Sequence, residues 1–189
     1  MQAVTRDEIE DVLSRYEGLV CTNNTLDFSD PEAQSLTLHL KDLSSQQLLR
    51  LARFSAHLYN DERHFAGASL WITQWGVWNE QEESIPRKAI ERMRQGFGEN
   101  RSLETAPGHF FRSDEFVESI AFLLQPMLAG WDAFFIPQWP KDTLEYFLFV
   151  SHDSVLEIRT RTAKAREQVD GVLGSFGWDE TGAWRLPAA

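Results

Sequence analysis

Three side chains in this sequence have a spacing that suits a metal ion. His57, Asp61 and His64 fall at i, i+4 and i+7, so a continuous helix would project two imidazoles and a carboxylate from one face. A divalent cation accepts that donor set. The helix must end there, however: Asn60-Asp61 is a poor helix continuation, and Phe65 and Gly67 follow at once. No ligand outside the helix is identifiable, so the segment reads as a solvated helix end, and no metal and no cofactor are assigned. His152-Asp153 is an acid–base pair by type, in the polar stretch Ser151-His152-Asp153-Ser154. Adjacent residues seldom point the same way and no nucleophile accompanies them, so no catalytic residue is assigned. His109 stands beside Phe110 and Phe111, where ring packing accounts for the segment. Cys21 is the only cysteine, which excludes an intrachain disulfide and a multi-thiolate zinc site. Its setting, Leu19-Val20-Cys21, predicts a buried thiol and not a nucleophile.

Two further groups point to binding. Arg159, Arg161, Lys164 and Arg166 stand where a strand feeds a helix N-terminus. Amides with no helical partner and four positive charges suit an anion or an acidic partner, unless Glu157, Glu167 or Asp170 occupies them. Arg87, Lys88, Arg92 and Arg94 form a second basic cluster, diluted by Glu91. Trp71 and Trp75 share parity on a predicted strand, opposite Leu70 and Ile72. They are therefore either covered by helices or an aromatic surface for a ligand. Phosphate loops, dinucleotide fingerprints, zinc-peptidase helices, serine nucleophile elbows and calcium loops are all absent.

The elements that must position these groups are legible from capping and periodicity. Thr5 and Glu8 have capping-box spacing and Val4 with Ile9 forms the staple, so a helix is predicted over 5–16. Ser44 with Gln47, and Leu43 with Leu48, repeat both signals before a helix over 45–60. A third helix opens at Ser84-Ile85-Pro86, where proline is tolerated in the first turn. A fourth starts after Ser113 and closes at Gly130, with Phe116, Ile120 and Leu124 as expected central core residues and Pro126 as an expected kink or stop. The fifth covers 162–173. Five strands are predicted: Leu36 to Leu40 by alternation, then 67–78, 131–136, 144–150 and 155–160 by aromatic and β-branched content. The last two form a hairpin. Residues 22–35 read as turns, and 98–112 as a connection without periodicity.

About five helices and about five strands in mixed order predict one α+β domain over 1–177, with a mixed or largely antiparallel sheet. Residues 178–189 are expected to form a short C-terminal extension. The 189-residue length suits a single domain, and thirteen Phe, seven Trp and three Tyr argue against disorder. With 29 acidic and 18 basic residues the net charge is −11, which disfavours general nucleic-acid binding and adsorption to an anionic membrane. It suits solubility, or an acidic face for a basic partner. The opening MQAVTRDEIEDVL is not a secretory signal, and no apolar run is long enough to cross a bilayer, so the expectation is a cytoplasmic protein. Without convergent chemistry, the expected function is a non-enzymatic protein-binding, inhibitor or adaptor module. A small hydrolase or transferase of unfamiliar type and a structural subunit of a homo-oligomer stay open, as does the choice between monomer and homodimer.

Overall fold

The computed structural model describes residues 1–22, 24–58, 67–75, 85–137 and 144–178. Among them the chain runs β1 (Gln2–Val4), α1 (Arg6–Leu13), β2 (Leu19–Thr22), β3 (Thr25–Phe28), β4 (Gln34–His39), α2 (Ser45–Leu58), β5 (Ala68–Gln74) and α3 (Ile85–Gly96). It continues through β6 (Gly108–Phe111), α4 (Phe116–Ala129), β7 (Asp132–Pro137), β8 (Tyr146–Ser151), β9 (Val155–Thr160) and α5 (Ala163–Ser175). Seven strands form one antiparallel sheet in the order β1-β6-β5-β7-β8-β9-β4, and β2 with β3 forms a separate hairpin. The expected five helices are present. The expected five strands are β4, β5, β7, β8 and β9, and four short ones join them. No described helix is long and apolar enough to cross a membrane.

Strand alternation gives the sheet two unlike faces. One cross-strand row runs His109–Leu70–Phe135–Leu148–Ile158–Leu36 through successive pairings. Its apolar members pack with Leu51 and Phe54 of α2, Ile90 of α3, Phe122 and Leu123 of α4, and Val169 and Leu173 of α5. The adjoining row on the opposite face runs Gly108–Trp71–Phe134–Phe149–Glu157–Thr37. It passes from buried aromatic to exposed polar because, among the described residues, α1 and the β2–β3 hairpin cover only part of that face. Ile9, Leu13, Leu26 and Phe28 form that cover, packed with Trp71, Phe134 and Phe147.

Local signals explain the helix starts. Thr5 and Glu8 close a reciprocal capping box, and the Glu8 and Thr5 amides donate to each other's side chains. Ser44 and Gln47 do the same before α2. Thr162 accepts the Ala165 amide at the start of α5. At the end of α4, Gly130 takes the left-handed conformation (φ 63°) that glycine adopts without steric cost.

Several expectations need correction. Helix α1 stops at Leu13, and Tyr16 turns back to donate to the Pro137 carbonyl. Pro126 does not stop α4, which is continuous to Ala129. On α4, Phe116 and Leu124 are only partly buried, and the deeply buried pair is Phe122 and Leu123. Trp178, the first residue of the expected C-terminal extension, is buried in the helix-side core. Residues 179–189 lie outside the described residues.

Candidate functional site

A cleft of about 640 Å³ opens on the half-covered face, between the sheet and the β2–β3 hairpin. Phe134, Phe147 and Phe149 are its aromatic floor, with Thr73 and Gln74 at the β5 end. Phe134 and Phe149 are stacked at 4.7 Å between ring centroids. Phe149 is half-buried and turns its ring to the opening, whereas Phe134 and Phe147 are buried. The hairpin is fastened by Phe28, whose ring lies 5.2 Å from that of Phe147. Its tight turn places Asn24 at φ 63°, a conformation that asparagine tolerates better than most residues.

The rim is acidic. Asp27, Asp132 and Glu157 line the cleft against one cation, Arg159. Arg159 pairs with Glu157 at 2.7 Å and stands 3.6 Å from Asp27, so it bridges sheet and hairpin. Asp132 is tied to the β8–β9 turn. Its Oδ1 accepts the His152 amide at 2.7 Å, and His152 Nδ1 lies 2.8 and 3.0 Å from the two carboxylate oxygens. His152 Nε2 is 3.7 Å from Asp153. Ser151 Oγ accepts the Asp153 amide. The arrangement orients an imidazole, which general acid–base chemistry needs.

The residues singled out from sequence are dispersed. Trp71 is 1% exposed and presents no surface to a ligand. Trp75 packs against the helix-side core, on the other face of the sheet. A register shift between Ile72 and Gln74 breaks the alternation that would have kept the two tryptophans together. The basic edge is largely neutralised: Arg159 by Glu157, Arg161 by Asp30 at 2.7 Å, and Arg166 by Asp170 at 2.9 Å. Lys164 is exposed on α5. Three of the four charges are thus occupied by the chain's own carboxylates, and only Arg159 lines the cleft.

The remaining candidates fare similarly. Arg87 is shared by Glu91 and Glu104, at 3.1 and 2.6 Å. Arg94 leaves the surface altogether. His57 is exposed, with its ring 5.5 Å from that of Phe176, and Asp61 and His64 lie outside the described residues. Cys21 is half-buried on β2, and burial pushes its thiol pKa up, away from a thiolate nucleophile. Sequence reasoning missed the cleft because its members come from twelve positions on five strands and a turn. The one available signal was the alternation of Phe147 and Phe149 with Leu148, which puts two aromatics on the face away from the helices.

Comparison with protein-family models, with curated proteins and with solved structures returned no match.

Proposed function

We propose that the protein is a non-enzymatic binding module, and that its cleft takes a cationic side chain presented by a partner protein. The carrying observation is the half-buried Phe149 ring beneath a rim of Asp27, Asp132 and Glu157. A lysine or arginine head over an aromatic face gains about 0.5–2 kcal/mol. The net charge of −11 would speed the approach of a basic partner and raise the salt sensitivity of the complex. The test is calorimetric titration with an arginine- and lysine-containing peptide and with its glutamate counterpart. Binding of the basic peptide alone is expected, weakened roughly five-fold by Phe149→Ala, which removes about 1 kcal/mol of cation–π contact. Equal binding of both peptides, or of neither, would overturn the reading.

The alternative of a small hydrolase or transferase draws on one observation, the His152 ring held by Asp132 at the rim. Turnover of an ester or phosphoester panel that disappears in His152→Ala would favour it over a binding role.

A further inference from the structure

A second cavity lies on the helix side of the sheet, away from the cleft. Its volume is about 360 Å³. Among the described residues it is lined by Arg50, Arg53 and His57 of α2, Phe116 of α4, Ser175 of α5 and Phe176 just after it. Three of these six are bases and none is an acid, in a chain where acidic residues outnumber basic ones 29 to 18. The volume falls within the range of small-ligand sites.

Helical spacing explains the grouping. Positions 50, 53 and 57 are i, i+3 and i+7, so their side chains share one face of α2 over two turns. Like charges so placed repel. Elsewhere the chain relieves an arginine with a carboxylate four residues away: Arg6 with Glu10, Arg15 with Asp11, Arg87 with Glu91 and Arg166 with Asp170. Helix α2 reads SQQLLRLARFSAHL and contains no Asp or Glu, so it offers no such relief from within. Its two guanidinium groups, one turn apart, border the cavity instead. The rest of the wall is aromatic. Phe176 is half-buried, set edge-on against Phe54 at 5.8 Å and 5.5 Å from the His57 ring. Phe116 is half-buried as well. Both phenyl rings are thus anchored at the core and open in part to the cavity.

We propose that this cavity binds an aromatic phosphate monoester, with its phosphate at Arg50 and Arg53 and its ring against Phe116 and Phe176. Guanidinium forks take phosphate oxygens two at a time. A pair of them matches the three acceptor oxygens and the charge of about −1.5 to −2 that a phosphate monoester carries at pH 7, more fully than it matches a carboxylate. A planar ring gains contact area and favourable ring–ring geometry on the phenyl wall. Inorganic phosphate leaves that wall unused. The net charge of −11 repels a dianion at a distance, but that field is screened beyond about 8 Å at physiological salt, so local contacts decide. A phosphotyrosine on a partner protein offers this chemistry, and so does a nucleoside monophosphate.

The test is calorimetric and amide-NMR titration of the full chain with phenyl phosphate, inorganic phosphate, benzoate and phenol. Phenyl phosphate is expected to shift the Arg53, His57 and Phe176 amides, to leave that of Phe149 in the cleft unmoved, and to bind roughly ten-fold tighter than each of the other three. Arg53 is exposed, and Arg53→Gln exchanges residues of similar helix propensity. It is expected to weaken phenyl phosphate roughly ten-fold, the worth of a charge-assisted hydrogen bond. Phe116→Ala is expected to weaken phenyl phosphate about three-fold and to leave inorganic phosphate unaffected. A phosphotyrosine peptide that binds at least as tightly as phenyl phosphate assigns the ligand to a partner protein; adenosine monophosphate doing so in its place assigns it to a nucleotide. No binding of phenyl phosphate, equal binding of any of the three comparators, or unchanged affinity in Arg53→Gln would each overturn the proposal.

Discussion

Acid should destabilise this protein through His109 in a window that can be worked from the structure. The unfolded imidazole has an ordinary pKa near 6.5, and in the folded chain burial beside Arg94 lowers it to about 3. Above pH 6.5 both states hold the ring neutral, and the group has no pH-dependent effect. As pH falls below 6.5 the unfolded state takes up a proton that the folded state refuses. Stability is therefore lost by about 1.4 kcal/mol per pH unit, levelling off only below about pH 3. Between pH 7.5 and 5.5 the contribution comes to about 1.4 kcal/mol. The assay is urea unfolding in buffers covering that range at constant ionic strength, for wild type and for His109→Leu. All other titrating groups are common to the two proteins, so the difference in slope isolates the ring. Wild type is expected to lose about 1.4 kcal/mol more than the variant. Parallel profiles would show that the imidazole titrates alike in both states, and the buried, cation-flanked setting would then be wrong.

Three further outcomes follow from packing and hydrogen bonding. Leu123→Ala should cost about 2–5 kcal/mol in urea unfolding and Leu124→Ala distinctly less, because the first is fully buried and the second is not; equal losses would misplace the α4 interface. Gly108→Ala would set a Cβ 2.6 Å from Val4 Cγ2 and 3.2 Å from Ile9 Cδ1, so it should lower the thermal midpoint through a loss of about 1–3 kcal/mol; an unchanged midpoint would show that β1 and α1 yield without cost. Asp132→Ala removes the acceptor of the His152 amide and ring, and should cost about 2 kcal/mol and expose that amide to faster hydrogen exchange; unaltered protection would mean that the turn holds itself.

What could be read from sequence was the part governed by local chemistry. Caps at Thr5 and Ser44 sit beside the helices they start, and alternation marks Leu36, Leu38 and Leu40 without reference to any other strand. The four missed strands are three or four residues long, too short for a period to show. Strand β3 is held by Phe28 against Phe147, a contact made only in the folded chain. Helix α4 carries apolar residues on more than one stripe, so its inward phase was ambiguous by about one position, and Leu123 was passed over for Leu124. The bulge after Ile72 and the pairing of Asp132 with His152, twenty residues apart, leave no trace in spacing. Arg94 looked like one more solvated cation because Lys88 and Arg92, its neighbours on α3, are exposed cations of just that kind.

Among the described residues the seven-stranded sheet ends on β1 and β4 with no further strand beyond them, which has a consequence for behaviour in solution. Strand β1 offers three residues for pairing, but β4 offers six, Gln34–His39, with neither proline nor a carboxylate nor a lysine among them. Proteins commonly blunt such an edge with those residues, because an unpaired strand can recruit another molecule's strand. Here the protection is collective: molecules carrying −11 at neutral pH repel one another before their edges meet. That barrier vanishes near the isoelectric point of about 4.9, and salt shortens its reach. The protein's colloidal stability is thus a function of its titration state, and mild acid is where its solutions cloud first.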